Sequence, residues 1–109
     1  MDRTILTHDT TIKGSGSYIV CKPIQKNISL YLQTPKDYQT VSIFKPKHVT
    51  ASIFIVQPLS GYLTNDMFVN NKLLRSSMNT EEYCLISLVY IPKRGWIIYG
   101  TPTNFILLK

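Results

Sequence analysis

The stretch CLISLVYIPKRGWIIYG, residues 84–100, carries the clearest structural signal in the chain. Its first eight residues are rich in β-branched and apolar side chains, PKRG sets a proline early and a glycine late, and WIIY returns. It reads as a β-hairpin closed by a type I turn with a terminal glycine. Upstream, Asn27-Ile28-Ser29-Leu30-Tyr31-Leu32 alternates, which puts Ile28, Leu30 and Leu32 on one buried face of a strand. Thr34-Pro35-Lys36-Asp37 supplies turn chemistry, and residues 40–44 repeat the alternation with Val41 and Ile43 inward until Pro46 stops them. Ser17-Tyr18-Ile19-Val20-Cys21 is a further β-rich run ended by Pro23. Consecutive runs joined by short turns predict an antiparallel meander.

Residues 52–57 differ, because Ile53 and Ile55 are apolar on one face and Phe54 and Val56 on the other, the pattern of a strand covered on both sides. Residues 104–109 repeat that two-sided character with Phe105, Ile106, Leu107 and Leu108. Pro58, Gly61, Asn65, Asp66, Asn70 and Asn71 break up the middle, leaving short elements at 67–69 and 72–74, and residues 79–82 suit one capped helical turn. The expectation is an all-β chain, a small antiparallel β-sandwich or jelly-roll-like barrel of about eight short strands. Residues 1–109 read as one domain, with 1–16 a flexible lead-in around Lys13-Gly14-Ser15-Gly16 and 104–109 a C-terminal interface strand.

With 44% hydrophobic residues the chain can bury a core, and with 17% charged residues much of its surface must be polar but neutral. The 12 Lys and Arg against 6 Asp and Glu give a formal charge of +6, which favours an acidic partner or solubility. Lys22, Lys26, Lys36, Lys45 and Lys47 are scattered, so no basic arm is formed. Ala51 is the only alanine, and residues with A/T-rich codons abound, a bias that also disfavours helix. Neither a secretory leader nor an apolar run of membrane-spanning length is legible, which predicts a chain made in the cytoplasm without a span.

Catalytic chemistry finds little to stand on. His8 beside Asp9 and the distant His48 lack the converging Cys, His or Asp partners a metal needs. Cys21 and Cys84 sit in apolar strand context, where a thiol behaves as a small buried hydrophobe, free and inert. The carboxylates of Asp2, Asp9, Asp37, Asp66, Glu81 and Glu82 lie mostly beside turn residues and suit turns and caps. Lys13-Gly14-Ser15-Gly16-Ser17 lacks the Gly-Lys-Ser/Thr ending of a phosphate loop. The expectation is a non-enzyme with no cofactor and no metal.

The seven tyrosines and Trp96 are the suggestive side chains. On half-buried strands they suit packing and interfaces, and interleaved with lysine they suit base stacking on a single-stranded nucleic acid. A third use, glycan binding, needs Trp96 or several tyrosines exposed in one shallow groove. Tyr31, Lys45, Lys47, Lys93 and Arg94 are the candidate nucleic-acid or glycan contacts.

Over residues 17–100 the order of features resembles the small β-sandwich modules of fibre, spike, decoration and cement proteins of double-stranded DNA viruses and phages. The residues that carry the resemblance are Tyr18-Ile19-Val20, then Ile28-Ser29-Leu30-Tyr31-Leu32 with Pro35, then Val41-Ser42-Ile43 with Ile53-Phe54-Ile55. Leu88-Val89-Tyr90 and Trp96-Ile97-Ile98-Tyr99-Gly100 complete it. Gln33-Thr34 departs from the pattern, in which leucine often meets proline directly, and no shaft or collar sequence is present, which points to a compact minor capsid, cement or decoration protein. The resemblance implies a virion protein that assembles, frequently as a trimer, with viral coat protein or other virion proteins as partners. Phe54, Val56, Phe105, Ile106, Leu107 and Leu108 are the interface residues expected on the two-sided strands.

Overall fold

The computed structural model describes residues 3–57, 73–76 and 82–108. In chain order the strands are β1 (Arg3–Leu6), β2 (Thr10–Thr11), β3 (Gly16–Val20), β4 (Asn27–Tyr31) and β5 (Gln39–Lys45). They continue as β6 (Ser52–Val56), β7 (Leu73–Ser76), β8 (Cys84–Ile91), β9 (Gly95–Thr103) and β10 (Phe105–Leu108). Sheet I has the order β1-β3-β5-β8-β9 and sheet II the order β10-β7-β6-β4-β2. Among the described residues every regular element is a strand, so the all-β expectation holds, with ten strands in place of about eight.

The meander does not form. β1, β3 and β5 run parallel in sheet I, and β2, β4 and β6 run parallel in sheet II. Both sheets are therefore mixed, not antiparallel. A parallel pair cannot be closed by a tight turn and needs a crossover, and here each crossover is a strand of the opposite sheet. The chain thus winds as three coils, β1-β2, β3-β4 and β5-β6. β7 and β8 then run against β6 and β5, while β9 and β10 run against β8 and β7. The result is five stacked layers, each with one strand in either sheet.

The core lies between the sheets and draws on both. Leu6, Tyr18, Val20, Val41, Ile43, Ile86, Leu88, Tyr90 and Trp96 enter from sheet I, and Ile28, Leu30, Ile53, Ile55 and Leu74 from sheet II. The expected inward residues of β4 and β5 are all buried, because a half-buried strand shows the same alternation whichever neighbour it pairs with, and in β6 Ile53 and Ile55 are the buried pair. The 52–57 strand is not covered on both sides within the chain: Phe54 and Val56 are half-buried on the outer face of sheet II. The 84–100 hairpin forms as read, with Tyr90 opposite Trp96 and their rings edge-on at 5.5 Å. The Trp96 indole donates to the Gln33 carbonyl at 2.8 Å, tying the hairpin to the β4–β5 connection. Its turn differs from expectation. Arg94 N donates to Ile91 O at 2.9 Å, and Lys93 has φ 68°, so the proline sits at the second and a left-handed residue at the third position of a type II turn.

Residues 1–16, read as a flexible lead-in, contain β1 and β2 and are pinned to the next coil. The Asp9 carboxylate accepts from Ser29 N at 2.8 Å, Asp9 N donates to Gln25 Oε1 at 2.9 Å, and Ile24 N donates to Thr7 O at 2.9 Å. Both cysteines are free thiols, Cys84 buried and Cys21 half-buried rather than buried. The elements expected at 67–69 and the helical turn expected at 79–82 lie outside the described residues apart from Glu82; of the element expected at 72–74, Leu73 and Leu74 fall in β7.

Candidate interaction surfaces

Because alternate residues of each strand face away from the core, every sheet has an outer face set by its register. On sheet II one outer row is Ser29, Phe54, Arg75 and Ile106 across β4, β6, β7 and β10, and the row beside it contains Tyr31 and Val56. Tyr31 is 44% exposed and Ile106 46%, while Phe54 and Val56 are half-buried. Of the expected interface residues, the structure places Phe54, Val56 and Ile106 on one outer surface. Phe105 is set apart from them: it packs against the core cluster, in the row of Ile28, Ile53 and Ser76. The backbones of Leu107 and Leu108 pair with Leu74 and Leu73, and their side chains lie outside the described residues.

Among the described residues β10 is the edge of sheet II, with a neighbour on one side only. Edge strands are normally blunted by prolines, charges or bulges. β9, the matching edge of sheet I, is blunted: between the Ser87–Tyr99 and Leu85–Thr103 pairs it holds extra residues, including Gly100 at φ 76° and Pro102. β10 has no proline, glycine or charged residue in its four positions.

The candidate nucleic-acid and glycan contacts are not brought together. Lys45 is 0% exposed, so it is no surface contact. Its ammonium lies at the inner end of β5 opposite Cys84 and donates to Val49 O at 2.7 Å and Glu82 O at 2.6 Å. Burial lowers the Lys45 pKa, opposed by the nearby Cys84 and Glu82, and burial raises that of Cys84, opposed by Lys45. Exposed Lys47 follows the end of β5, whereas exposed Lys93 and Arg94 stand in the turn beyond its start, at the opposite rim. Tyr31 lies on the outer face of sheet II, at the last position of β4. Among the described charged residues only Arg3, Lys45 and Arg75 belong to strands, and the others occupy the connections. The two broad faces are therefore nearly neutral and the rims carry the positive charge. Trp96 is buried and cannot serve a glycan groove.

The outer face of sheet I holds a feature the sequence did not reveal. Arg3, Ser17, Ser42, Ser87 and Tyr99 stand in register across all five strands. On one side runs the row Ile5, Ile19, Phe44 and Leu85, and on the other Thr40, Val89 and Ile97. Small side chains between rows of larger ones make a trough, and three open depressions of 410, 240 and 350 Å³ share Ser42 along it. The hydroxyls of Ser42 and Ser87 are 3.2 Å apart. Alternation marks each serine as outward, since Ser42 lies between Val41 and Ile43 and Ser87 between Ile86 and Leu88. Their alignment depends on cross-strand register, which no single strand encodes.

Among the described residues no three His, Cys, Asp or Glu side chains cluster as a metal site, and no helix is long and apolar enough to cross a membrane. No protein-family model matches the chain, and no curated protein is similar to it.

Proposed function

We propose that the protein is a non-enzymatic structural subunit of a virus particle, a minor capsid, cement or decoration protein that acts through protein contacts. The observation that carries this reading is the outer face of sheet II, where Tyr31, Phe54, Val56 and Ile106 gather around a single charged residue, Arg75, and continue to the unblunted β10 edge. Contiguous apolar surface rimmed by polar residues marks protein interfaces, and an open edge accepts a further strand through backbone hydrogen bonds. Burying two of these side chains against a partner contributes about 3–6 kcal/mol before ordering costs. The partner is viral coat protein or another copy of this chain, in an oligomer such as a trimer. The resemblance of the strand motifs to virion modules supplies the biological setting.

Nucleic-acid binding is the weaker reading, since a polyanion is held by converging cations and here Lys45 is buried while Lys47 and Lys93 stand at opposite rims. The test is co-sedimentation with assembled particles of the wild-type chain and of Phe54→Lys. Wild type should travel with particles and the variant should remain in the supernatant at unchanged fold. A wild-type chain that stays monomeric and never joins a particle refutes the proposal.

A further inference from the structure

We propose that the outer face of sheet I is a self-association surface on which a second copy of this chain packs face to face, a reading that stands independently of the sheet II surface. Exposed apolar side chains gather there. An unbroken apolar row of Ile5, Ile19, Phe44 and Leu85 crosses β1, β3, β5 and β8, and its two ends are exposed, Ile5 by 53%. The exposed Tyr83, just before β8, sets its ring 6.3 Å from that of Phe44, and Tyr99 on β9 is 70% exposed. Contiguous apolar surface of this kind marks an interface. Five strands of four to nine residues, at about 3.3 Å per residue and about 4.8 Å apart, give a flat footprint of roughly 500 Å². Two copies therefore cover roughly 1,000 Å² before the relief of the side chains is added, the area at which a specific interface begins.

The relief of the face is complementary to itself. Beside the apolar row lies the lower row of Ser17, Ser42 and Ser87, and depressions of 410 and 240 Å³ meet at Ser42. A two-fold axis between the two rows and parallel to them sets each ridge into the other copy's groove. Phe44 then stands over the partner's Ser42, Leu85 over the partner's Ser87 and Ile19 over the partner's Ser17, with facing strands antiparallel to within the roughly 30° that twist imposes on packed sheets. The Ser42 and Ser87 hydroxyls are 3.2 Å apart and bonded to each other, which lowers the cost of covering them with apolar side chains. Charge permits the same contact. Arg3, on the edge strand β1, is the only charged side chain on this face among the described residues, so two chains of formal charge +6 meet here with no like charges at the centre of the contact. Other occupants fit less well. An extended peptide finds no free backbone partners, because the interior strands β3, β5 and β8 are paired on both sides, and a polyanion meets one cation.

The test is sedimentation velocity and amide NMR over a wide concentration range, on the full chain carrying Ile106→Lys, which removes association through sheet II and leaves this face intact. A dimer should grow in with concentration, and the accompanying amide shifts should gather at Ser17, Ser42, Phe44, Leu85 and Ser87. Phe44→Glu in the same background should weaken the dimer about thirtyfold or more. Leu85→Lys changes an exposed position, so it should weaken the dimer to a similar extent with an unaltered melting temperature, which keeps the result separate from any folding defect in Phe44→Glu. Loss of particle binding in Ile106→Lys while the dimer survives distinguishes this face from the sheet II surface. A chain that stays monomeric at every concentration overturns the proposal, even where Leu85→Lys impairs particle binding, because the face then serves another partner. Concentration-dependent shifts confined to the rims or to sheet II overturn it too, as does unaltered dimerisation in folded Leu85→Lys.

Discussion

Lys45 shows how a residue typical of surfaces becomes part of a core. Its stem runs inward from the end of β5, and the ammonium replaces water with the carbonyls of Val49 and Glu82, so one side chain joins the β5–β6 connection to the approach to β8. Lys45→Met leaves two carbonyls unserved, and the expected loss is about 2–4 kcal/mol in urea denaturation at neutral pH, reduced by the desolvation cost that no longer applies. The pH dependence has a defined sign. Because burial lowers the Lys45 pKa, the unfolded chain binds a proton the native state does not between that lowered value and 10.5, and stability rises with pH across that window. Cys84 and Tyr18 are raised by burial, so their contributions are intact below 9.0 and 10.0 and decline as pH climbs toward the folded values. Lys45→Met lacks the compensating rise and removes the cation that restrains Cys84. It should lose more stability than wild type between pH 7 and pH 10, and an equal response in both proteins contradicts this account. Lys93 makes a separate case: at φ 68° an L-residue in the left-handed region is strained. Lys93→Gly should raise the unfolding free energy by about 0.5–1 kcal/mol after the added flexibility of the unfolded chain is counted, and a lower melting temperature argues against the type II assignment.

At the scale of elements, the first coil depends on side-chain bonds more than on strand length. β2 has only Thr10 and Thr11, yet Asp9 binds Ser29 N on β4 through its carboxylate and Gln25 through its own N–H. Asp9→Ala should cost about 1 kcal/mol and speed hydrogen exchange at the Ser29 amide; unchanged exchange there removes the role given to this carboxylate. The sequence made the individual strands legible and their partners illegible, for a physical reason. Ile28, Leu30, Val41, Ile43, Ile53 and Ile55 alternate because one side of each strand is dry, and that is true of parallel and antiparallel neighbours alike. The short connections 21–26 and 32–38 look like hairpin loops, but they step between sheets instead of returning within one. β1 and β2 escaped reading because their pattern is polar and their anchors are single hydrogen bonds. Of the surface residues, Phe54, Val56 and Ile106 were legible because apolar side chains stood where alternation demanded polar ones. Lys45 misled because charge was taken as exposure, and the serine row was hidden because it exists only once three strands are aligned.

Across the whole molecule, the layered winding sends most of the charge to the connections, sets a serine row between apolar rows on sheet I, and gathers Tyr31, Phe54, Val56 and Ile106 around Arg75 on sheet II. The β10 edge is where these arrangements meet, and it separates two roles that removal of residues 104–109 would confound. β10 supplies Phe105 to the core and pairs with β7, so deleting the segment strips a strand from the fold as well as any contact beyond it. Truncation is therefore expected to lower stability by about 2–4 kcal/mol, the scale of losing one large half-buried side chain with its ladder bonds. Ile106→Lys divides the two effects. Ile106 is 46% exposed and points away from the core, so lysine there should change monomer stability by no more than about 0.5 kcal/mol. The same substitution sets a second positive charge directly beside Arg75 on the surface shared with Phe54, where burial against a partner leaves the ammonium unpaired. Sedimentation velocity and particle binding should then show dissociation in Ile106→Lys with an unaltered melting temperature. If Ile106→Lys associates as wild type does while Phe105→Ala unfolds, β10 serves the core alone and the interface lies elsewhere.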